Sequence, residues 1–183
     1  MEFITSNEWD EAIWQSAKQI YQEAFGNHAK PEKIIRNMFA KGICQLHLAS
    51  EETIPVAMAL TGATKGSRIL IIDYLAVRKS GRGQGLGREF SNYIKKWAIS
   101  KDKYDSILLE AECEDTPENR ARIHFWENCG FHRIDDYTHH YIWVPEPYQA
   151  MVFNLKNTNK PLPSGKQWFN HIELFHKQSF QQK

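Results

Sequence analysis

Four glycines stand at alternate positions, Gly81, Gly83, Gly85 and Gly87, inside the stretch Asp73-Tyr74-Leu75-Ala76-Val77-Arg78-Lys79-Ser80-Gly81-Arg82-Gly83-Gln84-Gly85-Leu86-Gly87-Arg88. Residues without a Cβ between an apolar run and a helical pattern leave main-chain N–H groups unobstructed, and the helix start adds a partial positive charge. A phosphate group suits such a turn, and Arg78, Lys79, Arg82 and Arg88 supply point charges for further phosphates. No Gly-Lys-Ser/Thr closes the run, and its Gly-x-Gly-x-Gly-x-Gly spacing departs from the dinucleotide fingerprint, so it predicts phosphate binding without nucleotide hydrolysis. A flexible Gly-rich surface turn would use the same residues.

Arg82-Gly83-Gln84-Gly85-Leu86-Gly87 resembles the Arg/Gln-x-x-Gly-x-Gly/Ala signature of the GNAT acyltransferases, and Leu75-Ala76-Val77 is similar to the end of that family's fourth strand. The resemblance continues through Leu108-Leu109-Glu110-Ala111, like the fifth strand, and from Asn119 through Phe125 to Gly130-Phe131, so that it spans roughly Ile54 to Phe131. It implies an α/β fold, a twisted mixed sheet whose fourth and fifth strands splay apart around an acyl-CoA arm. It also implies roles. The loop Arg82, Gly83, Gln84, Gly85, Leu86 and Gly87 would hold the pyrophosphate of acetyl-CoA, the co-substrate. The main chain of Leu75, Ala76 and Val77 would pair with pantetheine like an added strand, and Asn119 would reach the same arm.

Acetyl transfer to a primary amine of a small molecule or peptide, by direct attack in a ternary complex, is the activity the resemblance implies. An amine with a pKa near ~10 is mostly protonated at neutral pH, so it needs a proton acceptor before it can attack a thioester. Asp73 stands two residues before Leu75, on the same strand face by strict alternation, where some relatives carry a catalytic histidine. Glu110 corresponds to a glutamate that serves as base in relatives acetylating protein N-termini, and it ranks ahead of Asp73, with Glu112 third. Each would otherwise be a solvated or salt-bridged carboxylate. A main-chain N–H near Leu75 to Val77 would meet the charge developing on the thioester oxygen.

Where relatives usually carry a tyrosine, this chain has Phe125-Trp126. The indole of Trp126 can pack beside the thioester but cannot protonate a leaving thiolate as a phenol does. Tyr137, Tyr141 or water are the substitutes, with packing the competing role for each tyrosine. A covalent route would use Cys113 or Cys129 as nucleophile with a histidine such as His124 as base, although free cysteines commonly act as small buried hydrophobes. A catalytically silent acyl-CoA-binding sensor is the other reading, prompted by the missing tyrosine. The histidines lack a metal-ligand spacing, so no metal is expected.

Elements that would position these groups follow from periodicity. Trp9 onward places Ile13, Ala17, Ile20 and Ala24 at helical spacing as far as Gly26, and a second helix opens at Pro31 with Ile34, Ile35, Met38 and Phe39 before Gly42. Glu2–Thr5 reads as a first strand, and 43–50, 54–61 and 68–77 read as an antiparallel meander. The chain then reads as a helix over 86–100, a strand over 106–113, a helix over 117–128 and a strand over 131–134, and the resemblance implies that 150–155 is the seventh strand of the fold. The aromatic run from Tyr137 to Tyr148 would join the last two strands, either walling an acceptor pocket or packing as a hairpin. Residues 1–156 would form the catalytic domain. Within 157–183, a linker leads to a helix over 166–180 whose stripe of Trp168, Ile172 and Phe175 must bury on the same sheet or in a homodimer.

At 183 residues, with 23 basic against 22 acidic side chains, the chain has the length of one domain and no global field to recruit nucleic acid or an anionic membrane. The start lacks a signal-peptide pattern and no apolar run approaches the ~20 residues of a membrane span. Three scattered cysteines read as reduced thiols, and a cytoplasmic location is expected.

Overall fold

Asp10 opens the first helix by accepting the amide of Ile13 at 2.9 Å, the ordinary role of an aspartate before a helix. Helix α1 spans Glu11–Phe25 and α2 spans Glu32–Ala40, the second following Pro31 as the sequence predicts. The apolar stripe of α1 lies slightly rotated from the expected one: Trp14, Ala17, Ile20 and Tyr21 are buried, while Ala24 is exposed. The two large rings bury more apolar surface than alanine can, and the Trp14 indole also donates to Glu32 at 2.9 Å, tying α1 to α2. The structure, a computed structural model, describes residues 1–182.

Seven strands form one sheet in the order β1-β2-β3-β4-β5-β7-β6, where β1 is Glu2–Ser6, β2 Cys44–Glu51, β3 Ile54–Gly62, β4 Ile69–Val77, β5 Ser106–Glu112, β6 His132–His140 and β7 Pro147–Asn154. Among the described residues only β4 and β5 pair in parallel, through a crossover that contains α3 (Leu86–Ser100). Helices α3 and α4 (Pro117–Asn128) cover one face, where Phe90, Ile94, Ile107, Leu109 and Trp126 share a core. Helices α1, α2 and α5 (Gly165–Phe180) cover the other. A twisted mixed α/β sheet flanked by helices is therefore what the chain forms. Among the described residues, no helix is long and apolar enough to cross a membrane.

Helix α5 settles on its own sheet. Ser164 caps it in a reciprocal box with Gln167, and the amide of Gly165 donates to Asp136 of β6 at 2.8 Å. Trp168, Ile172 and Phe175 then bury against α1, α2 and the sheet, and the far end is held where Lys41 donates to the carbonyl of Gln181 at 2.6 Å. Strand β6 runs longer than expected, because His139 and His140 pair with Tyr148 and Pro147 beyond an irregularity after Ile134. The expected aromatic run is thus largely a hairpin, with Ile142 and Trp143 exposed at its tip.

Two backbone features shape the region beyond the core. Pairing of β4 with β5 ends at Ile71 opposite Leu108, whereas β4 stays paired with β3 as far as Val77 and β5 with β7 as far as Glu112. The two strands therefore part toward their C-terminal ends. In addition, Leu60 faces Tyr74 while Thr61 faces Ile72, so Asp73 is the extra residue of a β-bulge. Strict alternation fails at this point. Tyr74 packs toward α1 and Leu75 toward the opposite core, and Asp73 shares the face of Tyr74, not that of Leu75 as alternation predicts.

The sheet also buries a histidine. His47 is 0% exposed, its Nδ1 lying 2.7 Å from the Thr5 hydroxyl and its Nε2 2.8 Å from that of Thr61. Burial holds its pKa down to about 3. An unfolded histidine titrates near ~6.5, so below that pH the unfolded chain binds a proton the folded chain refuses, and stability falls as pH drops toward about 3. The slope is about 1.4 kcal/mol per pH unit at most, or about 2–3 kcal/mol by about pH 4.5. Urea unfolding at neutral pH and near pH 4.5 should show a loss smaller by that amount in His47→Gln. Equal losses would mean that the ring is not held neutral.

Candidate functional site

The glycine loop leads from β4 into α3. Gly83 and Gly85 have φ of +77° and +81°, and a Cβ at either would meet nothing within 4 Å, so the loop presents bare main chain to an open space. Gly85 occupies the position before α3 with no side chain capping the helix, which leaves first-turn amides for a ligand or water. Gly87 answers a different need: a Cβ there would lie 3.1 Å from the Phe125 ring, and its absence lets α3 approach α4. Leu86 is buried and anchors the helix start, Arg82 Nε donates to the Val77 carbonyl at 3.1 Å, and Gln84 reaches the Ser80 carbonyl at 3.3 Å. Leu75, Ala76 and Val77 pair with Ala59, Met58 and Ala57 on one side only, and their other edge lies beyond the last β4–β5 pair.

Asn119 and Trp126 are held differently. Asn119 is buried in the turn that starts α4, donating to the Glu114 carbonyl at 3.0 Å and accepting from Arg122 at 3.3 Å. Trp126 is 7% exposed and packs edge-on against both Phe125 and Phe131. Of the aromatic pair, Phe125 is the ring that meets the glycine loop.

The two carboxylates face each other across the splay, linked by residues that sequence reasoning did not select. Lys30, between α1 and α2, donates to both oxygens of Asp73 at 2.7 and 2.6 Å, and the two side chains are only 5% and 4% exposed. Burial pulls the Lys30 pKa down, but the Asp73 carboxylate more than offsets this, so the ammonium persists. The same Nζ lies 3.3 Å from Nδ1 of His176, whose Nε2 lies 3.0 Å from Oε1 of Glu110. Tyr141 donates to the other Glu110 oxygen at 2.5 Å, and its own pKa is pushed far up by burial and by the Glu110 charge. A continuous chain Asp73–Lys30–His176–Glu110–Tyr141 results. Its outer part is partly open, with the Glu110 side chain 23% exposed and that of His176 25%.

Other candidates lie apart from this chain. Glu112 pairs with Arg122 at 3.6 Å. Burial raises the thiol pKa of Cys113 and of Cys129, which disfavours the thiolate a covalent route requires, and His124 is exposed on α4. Tyr137 is engaged with His139 at 3.1 Å. For His176 a signal existed in the sequence: it stands four residues after Ile172, at the edge of the apolar stripe, where a polar side chain is carried toward the sheet. Lys30 carried none.

Known proteins agree with this architecture. The chain superimposes on a GNAT-family protein from Bacteroides thetaiotaomicron with a TM-score of 0.72 at 16% identity, covering 97% of this chain and 95% of that one. An aminoglycoside 6'-N-acetyltransferase complexed with coenzyme A matches with a TM-score of 0.68 at 13% identity, covering 87% and 100%. The ribosomal-protein-S18-alanine N-acetyltransferase of Escherichia coli gives 0.63 at 17% identity, covering 88% and 99%. No curated protein matches the sequence. At these identities the likeness establishes the fold. The family model of the acetyltransferase (GNAT) family, however, matches residues 10–131 of the sequence itself, from the start of α1 past the glycine loop and both splayed strands, and the chain belongs to that family.

Proposed function

We propose that the chain transfers an acetyl group from acetyl-CoA to a primary amine of a small molecule or peptide, both held in one ternary complex. The observation that carries this reading is the splay itself: an unpaired edge of β4 at Leu75–Val77 ends in the bare glycine loop, and Glu110 stands on β5 beyond the last β4–β5 pair, on the other side of the gap. The CoA complex of the aminoglycoside acetyltransferase, with the same fold, supports it. In the proposed assignment the amides around Gly83 to Gly87 take the pyrophosphate, with Arg82 beside them, and the β4 edge pairs with the pantetheine arm.

Glu110 is the proposed proton acceptor. It takes the proton of the incoming ammonium; the freed nitrogen lone pair then attacks the thioester carbonyl carbon and the C–S bond breaks. As the adduct collapses the nitrogen gives its second proton to water, and the leaving thiolate takes a proton from water, because Tyr141 already donates its hydroxyl to Glu110 and is a weakened acid. Asp73 supports the base from behind, through Lys30 and His176. A titration of acetyl-CoA, followed by CoA release with an aminoglycoside, a polyamine and an alanine-ended peptide as acceptors, tests the proposal. Binding without release for any amine would reduce the chain to an acyl-CoA-binding module.

Trp126 enters this assignment as the packing behind the arm. Its indole is buried among rings and away from the carboxylates, so Trp126→Phe should keep turnover within about threefold while lowering thermal stability by the order of 1–3 kcal/mol for a smaller core ring. Turnover lost at unchanged CoA affinity would assign the indole to the chemistry instead.

A further inference from the structure

The tail helix carries a side chain into the site that the family pattern, ending at residue 131, does not reach. We propose that His176 is a positioning residue for the reaction, a fixed donor that aims the Glu110 carboxylate into the splay between β4 and β5. The inference rests on the reading of Glu110 as proton acceptor.

Its basis is the order of hydrogen-bonding groups along the chain. The Lys30 ammonium has three donors and no acceptor, and the Asp73 carboxylate accepts from it at 2.6 and 2.7 Å. A further Lys30 proton is directed toward His176 Nδ1 at 3.3 Å, so that ring nitrogen must accept. A neutral imidazole with an accepting Nδ1 carries its proton on Nε2, and that nitrogen lies 3.0 Å from Glu110 Oε1. The buried ion pair thus selects the tautomer, and the tautomer selects the donor. Tyr141 holds Oε2 in the same way, which leaves the remaining lone pairs of Glu110 free to meet an amine. Helix α5 is placed for this role by the burial of Ile172, one turn before His176, and of Phe175 beside it, and by the docking of Gly165 on Asp136. Fixing a reacting group within a fraction of an ångström is the usual task of such outer partners.

Two measurements on the full chain test this. Long-range proton–nitrogen NMR correlations on histidine-labelled protein, with the His176→Gln spectrum identifying the signal, should show Nε2 protonated and Nδ1 bare near neutral pH. An Nδ1-protonated ring would overturn the inference. Steady-state rates with acetyl-CoA and the best acceptor of the panel should show kcat in His176→Leu reduced about tenfold to a hundredfold, below the loss expected for removing a base outright. KM for acetyl-CoA should be unchanged. His176→Gln, which can still present an N–H to Glu110, should recover kcat to within about threefold of the parent. Both variants should melt as folded domains, since the His176 side chain is 25% exposed. Parental kcat in His176→Leu, or a His176→Gln variant as slow as His176→Leu, would overturn the role. Glu110→Gln run alongside separates the two claims: if it is severely impaired while His176→Leu is not, Glu110 stands as the base and only the histidine's role falls.

Discussion

Glu110→Gln should lower kcat by about a hundredfold to ten-thousandfold while acetyl-CoA affinity stays within about twofold, the pattern of a lost general base. Glutamine keeps the size of the side chain, and its carbonyl can still accept from Tyr141; its amide then meets the Nε2 of His176, a mismatch confined to two part-exposed side chains, so the fold should survive. What disappears is the carboxylate that takes the amine's proton. Asp73→Asn is the matched comparison, and the structure changes what it should do. Asp73 is sealed against Lys30, and removing its charge leaves a buried ammonium without its counter-ion, a loss of about 3–5 kcal/mol for pairs of this kind. Its main signature should be a lowered unfolding midpoint, with a smaller fall in rate for the protein that remains folded. A silent Glu110→Gln beside a severe, fully folded Asp73→Asn would move the base to β4. Silence in both would hand deprotonation to solvent.

Gly85→Asp should weaken acetyl-CoA binding by about a hundredfold or more without unfolding the domain. The residue sits at φ +81° and ψ −2°, a left-handed conformation that aspartate tolerates better than most side chains, and its Cβ would enter open space. A carboxylate at a helix start even favours the helix itself. It would, however, occupy the proposed phosphate position with charge of the same sign, and two such charges about 4 Å apart near a surface repel by about 4 kcal/mol. Calorimetric titration with acetyl-CoA, paired with a thermal melt, checks both halves. Unchanged affinity in a folded variant would remove the glycine loop from the site.

The local pieces of this molecule were legible in its amino acids. The helix over 86–100 was readable because Gly85 precedes it and its apolar residues recur at helical spacing, and that over 117–128, which has little apolar periodicity, because Pro117 suits its first turn. The meander was readable because short polar turns separate β-rich runs. The alternate glycines were readable because the conformations at Gly83 and Gly85 exclude most other residues, so the chemistry is written in the residue type.

Only the tertiary structure decided what surrounds the carboxylates. Insertion of β7 between β5 and β6 depends on pairing far along the chain, which periodicity does not encode. The bulge at Asp73 is an irregularity of register between two strands, and it turns that carboxylate away from the face of Leu75 and onto Lys30. Lys30 and Asp73 are 43 residues apart, and Glu110 and His176 are 66 apart. Nothing in either local sequence requires those meetings. They occur because the apolar stripe of α5 had to bury somewhere, the uncovered part of its own sheet lay beside α2, and packing there carried His176 between the two carboxylates that the sequence had already singled out.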